Sequence, residues 1–180
     1  KSDARGAVKK AFLKTDSIGK VLLLELPHAR HPKRKIRIKL EIDTNPPLGS
    51  TFETQYLHFP TVAAITTQTL ESGFATKSHA LLCRPYAKGR DWFDLLWYIQ
   101  KGIRPNLELL RNALEQQGPW EGQEVDVTAA WLRQALRDRI QGLDWETVKR
   151  DVAAFLPASE QSVLEHWGVD YFRNRVDRLE

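Results

Sequence analysis

An α+β fold is what this 180-residue sequence predicts: a small mixed or antiparallel sheet of about four strands, followed by a C-terminal helical bundle. Three observations carry that expectation. Residues 35 to 43 alternate apolar and charged with the period of two that a strand with one covered face requires. Beyond residue 70, apolar residues recur at three- and four-residue intervals behind Asn, Asp and Ser starts, as in amphipathic helices. Finally, 42% of the residues are hydrophobic, with six Trp and seven Phe, enough to fill a core. The division falls near residues 67–70, giving an α/β lobe over 1–69 and a helical lobe over 70–180.

The elements follow in order. Residues 3 to 14 read as a short helix, ended by a turn at Asp16-Ser17-Ile18-Gly19. Val21 to Leu26 is almost continuously apolar, as in a strand covered on both faces, and Pro27 stops it. In the strand Lys35–Asp43, Ile36, Ile38, Leu40 and Ile42 are expected to be buried, with Arg37, Lys39, Glu41 and Asp43 on the other face. The two strands are expected to form an antiparallel hairpin. Asn45-Pro46-Pro47-Leu48-Gly49 must then break the sheet, because neither proline can donate to a ladder. Gln55–Phe59 and Val62–Thr66 are the remaining strands. Helices are expected over residues 74–84 and from about 89, then over Asn106–Gln117, Asp126–Gln141, Asp144–Leu156 and Ser159–Leu179. The Leu164, Trp167, Tyr171 and Phe172 stripe, like Trp97, reads as core.

Composition excludes several classes. Charged residues make up 28% of the chain without long low-complexity tracts, which argues against disorder. No apolar run reaches the roughly 18 residues of a membrane helix, so no membrane partner is expected. The single Cys83 has no internal disulfide partner, which suits a cytoplasmic protein, and its Ala-Leu-Leu surroundings make it a small buried hydrophobe rather than a nucleophile. The net charge of +4 is unevenly spread. Arg30, Lys33, Arg34, Lys35, Arg37 and Lys39 cluster beside His28 and His31, a surface suited to a nucleic acid or a nucleoside triphosphate, or else a solvated hairpin tip. His28 and His31 have no third ligand near them in sequence and are not read as a metal site.

The densest chemistry lies in Phe74–Arg84 and Lys88–Trp97, two helices joined by a short turn at Pro85–Gly89. Lys77 and Arg84 are one heptad apart and share a helix face. Asp91 and Asp94 stand at the start of the second helix, where carboxylates are favoured. An αα-hairpin this tight brings both pairs to one mouth, suited to a phosphate or metal–phosphate. The alternative is that Asp91 caps its helix and Lys77 is simply solvated.

These motifs also resemble those of the AbiEii/AbiGii-type nucleotidyltransferase toxins, a branch of the DNA polymerase β-like superfamily. That family places a Lys ahead of an Ala-Leu-x-x-Arg run, then an Arg-Asp-x-x-Asp element. Here they are Lys77 with Ala80-Leu81-Leu82-Cys83-Arg84, and Arg90-Asp91-Trp92-Phe93-Asp94. The resemblance covers roughly residues 20 to 180. It implies transfer of a nucleoside monophosphate from a nucleoside triphosphate to an acceptor, tRNA among the candidates, as the toxin of a toxin–antitoxin or abortive-infection system with a cognate antitoxin as partner. It further implies Lys77, Asp91, Asp94 and Glu41 as catalytic residues and Lys77, Arg84, Arg90 and Lys39 on the phosphates. The superfamily keeps its third acidic residue on a strand placed like Lys35–Asp43, so Glu41, and after it Asp43, would ligate Mg²⁺, the expected cofactor.

The Gly-Ser turn and Asp-x-Asp strand with which such enzymes begin do not occur here: Gly49-Ser50 leads into Thr51-Phe52-Glu53. The chain also contains no Met. The reading is therefore the second half of a larger enzyme, an incomplete nucleotidyltransferase fold expected to be inactive alone. Two other classes remain: a non-catalytic module that binds an antitoxin or another partner, and a metal-dependent nuclease. The nuclease is disfavoured because its Glu-x-Lys appears reversed, as Lys39-x-Glu41.

Overall fold

The computed structural model describes residues 8–14, 17–25 and 35–179, with side chains from Ile42 onward. It divides into two compact units, Lys1–Pro46 and Pro47–Glu180. The α+β class holds, but the strands form two separate antiparallel sheets rather than one.

The first unit holds β1 (Val8–Lys14), β2 (Ser17–Glu25) and β3 (Lys35–Asp43) in the order β1-β2-β3. β2 and β3 pair antiparallel as expected, from Ser17 opposite Asp43 to Glu25 opposite Lys35. The expected helix over 3–14 is corrected: residues 8–14 form a strand whose Lys14 lies directly opposite Ser17. Ala, Leu and Lys favour a helix only weakly, and pairing along a whole strand overrides that preference. The expected turn at 16–19 is corrected with it, since Ser17, Ile18 and Gly19 already belong to β2. Ile42, expected buried, is 50% exposed. It is the penultimate residue of β3, opposite Ile18 near the start of β2, and a strand end has few neighbours to cover it. The side chains of Ile36, Ile38, Leu40, Lys39 and Glu41 lie outside those described, as do His28, His31 and the basic residues of the Arg30–Lys39 cluster.

The second unit opens with the hairpin β4 (Phe52–Leu57) and β5 (Ala63–Gln68), register Phe52 opposite Gln68 to Leu57 opposite Ala63. Every β4 residue is exposed. What fastens the hairpin is a polar knot at its base. The Thr51 N–H donates to Ser72 Oγ (3.0 Å), and the Thr69 N–H donates to the Thr51 carbonyl (3.0 Å). Asn106 Nδ2 donates to the Gly49 carbonyl (2.8 Å).

Six α-helices follow: α1 (Leu70–Cys83), α2 (Gly89–Gln100), α3 (Leu107–Gln116), α4 (Ala129–Gln141), α5 (Trp145–Ala153) and α6 (Val169–Val176). The side chains of Thr69, Asn106, Thr128 and Asp144 accept N–H groups in the first turns of α1, α3, α4 and α5. Each such cap is worth about 1 kcal/mol. The expected long helix over 159–179 is corrected to a 3-10 segment, Ala158–His166, then extended backbone at Trp167 and Gly168, then α6. Its apolar spacing survives that break: Leu164, Trp167 and Phe172 are all buried.

The core gathers around Phe172, which is fully buried against Trp145 (ring centroids 4.4 Å apart), Trp167 (5.0 Å) and Trp92 (5.5 Å). Trp97, expected in the core, is 40% exposed. On α2 the inward stripe is Trp92, Leu95, Leu96 and Ile99. Trp97, five residues after Trp92, is turned about 140° from it around the helix axis.

Candidate functional site

The site is built on the α1–α2 hairpin. Pro85 ends α1, and Arg84 before it adopts extended backbone, as the residue ahead of a proline is pushed to do. The free carbonyls at this helix end are taken by Arg139 of α4, which donates to Leu81 O (3.2 Å) and Arg84 O (2.7 Å). Three residues are left between Pro85 and Gly89, where α2 begins.

Gly89 is needed there. A Cβ at this position would lie 2.3 Å from the Val148 carbonyl oxygen and 2.8 Å from the Val152 nitrogen, both backbone atoms of α5. Its N–H donates to Asp151 Oδ2 at 2.7 Å, so α5 supplies the carboxylate at the start of α2. Asp91 does not serve as that cap. It turns inward, only 5% exposed, and is gripped from two sides by cations of α1. Lys77 Nζ donates to Asp91 Oδ1 at 3.0 Å, and Arg84 Nη1 donates to Asp91 Oδ2. Lys77 also reaches Asp94 Oδ2 at 2.7 Å. Burial opposes a charged Lys77, but its hydrogen bonds to Asp94 and Asp91 outweigh burial and hold the ammonium above the ordinary lysine range. The Tyr98 hydroxyl is pushed up by burial and by the charge of Asp94, against the pull of Lys77. Cys83, half-buried on α1, has its thiol raised to about 11 by burial, with Arg139 opposing.

Around this ion network opens a pocket of about 420 Å³. One wall is charged: Lys77, Arg84, Lys88 and Arg90 with Asp91 and Asp94. The other is apolar: Phe93 with Val152 of α5 and with Phe155 and Leu156 just beyond its end. Four cations face two carboxylates, and the surplus of positive charge suits an anion.

Five residues expected from the sequence thus meet in one pocket: Lys77, Arg84, Arg90, Asp91 and Asp94. Lys39, Glu41 and Asp43 belong to β3, in the other compact unit, and are described within that unit. Asp43 is exposed, and its Oδ1 accepts the Asn45 N–H at 3.0 Å, closing the turn after β3. Lys88, Phe93, Asp151, Val152, Phe155 and Leu156 were not anticipated. Those on α5 and just beyond it are some 60 residues from the motif, and no local spacing links them to it.

A family model described as nucleotidyl transferase AbiEii toxin, type IV toxin–antitoxin system, matches residues 3–175. The chain belongs to this family. No curated protein and no solved structure matches it. As an AbiEii family member it is a nucleotidyltransferase toxin of the type IV toxin–antitoxin class, for which an antitoxin is the implied partner. No helix among the described residues is long and apolar enough to cross a membrane.

The Mg²⁺ expected with such chemistry does not fit the pocket's own donors. Among the described residues no three His, Cys, Asp or Glu side chains gather as a metal site. Asp91 and Asp94 are already neutralised by Lys77 and Arg84.

Proposed function

We propose that the pocket between α1, α2 and the end of α5 binds the triphosphate of a nucleoside triphosphate during transfer of its nucleoside monophosphate to an acceptor. One observation supports this above the others. Buried Asp91 holds both Lys77 and Arg84 in place, so two cations are positioned at the pocket without consuming all its positive charge. Lys77 then acts as a point charge on the phosphates, and Arg84 and Arg90 add planar, two-pronged contacts. Asp91 and Asp94 act as orienting groups in this reading, not as metal ligands. Preorganised cations at a phosphoryl group stabilise the charge that develops during transfer. Mg²⁺ accompanying the nucleotide, a nucleic acid such as tRNA as acceptor, and Lys39, Glu41 and Asp43 as contributors remain part of the proposal on family resemblance alone.

The experiment is calorimetric titration of the protein with ATP, CTP, GTP and UTP, beside Lys77→Ala and Arg84→Ala. Each substitution should weaken triphosphate binding by about tenfold or more, the worth of a charge-assisted hydrogen bond, while thermal melts stay near wild type. Wild-type affinity in both variants would show that the phosphates bind elsewhere.

A further inference from the structure

The apolar wall of the pocket is unexplained by phosphate binding. Phe155 is 59% exposed and Phe93 37% exposed, and both line the same pocket as Lys77 and Arg84. The Arg90 guanidinium lies 4.4 Å from the centre of the Phe155 ring, within the range of a cation–π contact. A bare polyphosphate has no use for such a surface. A ligand that is anionic at one end and flat and aromatic at the other matches both walls at once.

From this juxtaposition we infer that Phe155, with Arg90 against it, is the stacking platform for the nucleobase. This rests on the triphosphate reading above and deepens it, assigning the base to the α5 side and the phosphates to the α1–α2 side. Every base has a π-face, so a platform that works by stacking holds any of them. The pocket is therefore expected to favour nucleotides over inorganic polyphosphate while discriminating only modestly between bases. Phe155 touches substrate in this arrangement and takes no part in the phosphoryl step.

The test compares ATP, CTP and inorganic tripolyphosphate as titrants of wild-type protein, Phe155→Ala and Phe155→Trp, with a thermal melt of each variant. Base–aromatic stacking corresponds to about tenfold or more in affinity. ATP should thus bind wild-type protein at least about tenfold tighter than tripolyphosphate, with CTP close to ATP. Phe155→Ala should erase that advantage and leave tripolyphosphate unchanged, and Phe155→Trp should keep it. Equal binding of ATP and tripolyphosphate to wild type, or an undiminished ATP advantage in Phe155→Ala, overturns the platform and leaves the triphosphate site standing. Binding of neither ligand overturns both.

Discussion

Two hairpins of the second unit, each closed by a short connection, have opposite fates. The α1–α2 hairpin sinks one face into the core and ties its turn to α4 and α5 through Arg139, Asp151 and Gly89. The β4–β5 hairpin exposes Phe52, Tyr56 and Leu57, and is fastened at its base. The difference lies in what surrounds each one. A ladder of backbone bonds shapes a hairpin but holds its side chains to no particular geometry. Packing on several sides fixes side chains, and fixed side chains are what a charged site requires.

The sharpest way to break the comparison is to remove what the α-hairpin packs on. Trp92 is buried on α2 against Trp145 and Phe172. Trp92→Ala should cost about 3–5 kcal/mol and unfold the helical unit in a thermal melt, whereas Trp97→Ala, at the surface, should cost far less. A melt of Trp97→Ala as low as that of Trp92→Ala would contradict this phase of α2.

Next in size is Asp91→Ala. It removes the buried carboxylate that Lys77 and Arg84 share; Arg84 loses that ion pair while Lys77 retains Asp94, so a loss of about 2 kcal/mol is expected in chemical denaturation. Asp94→Ala, removing a more exposed partner, should lose less than half of that. If the order reverses, Asp94 rather than Asp91 organises the network.

Smaller still is a chemical effect. With its thiol raised to about 11, Cys83 in the folded protein should be almost wholly protonated at pH 8. Alkylation by iodoacetamide should therefore run at least tenfold slower than in the urea-unfolded chain, and should accelerate as pH climbs toward 11. Equal rates at pH 8 would place Cys83 in water. The smallest effect belongs to the β-hairpin. Tyr56→Ala, on exposed β4, should change stability by no more than about 0.5 kcal/mol, and a loss above 2 kcal/mol would mean that this face is covered after all.

The charged half of the pocket was legible in the sequence because helical spacing alone puts Lys77 beside Arg84 and Asp91 beside Asp94. The apolar half was not. Phe155 follows Val152 by three residues and so continues the buried Trp145, Val148, Val152 stripe of α5, the pattern of a core residue. The helix ends at Ala153 instead and leaves that ring exposed. Asp151 was hidden for a related reason: an acid on an exposed helix face carries no mark of the distant N–H it caps. Trp97 looked like core because aromatic type was read without the phase of α2. Residues 8–14 looked helical because their pairing with β2 is a tertiary fact that propensity does not contain.

Two of the described glycines, Gly102 and Gly89, contrast in what holds them. Gly102 has φ +65° with open space around it, so it answers only to the backbone, and Asn is the natural replacement. Gly89 answers to its neighbour: the backbones of α2 and α5 touch where a side chain would be. The approach of α2 to α5, beside the pocket, therefore depends on a missing methyl group. Drift along the lineage can exchange the residues that face the ligand, altering what is held, while position 89 stays closed to every larger residue unless α5 withdraws. The residues that face the ligand and the helix spacing beside them can thus evolve on separate schedules.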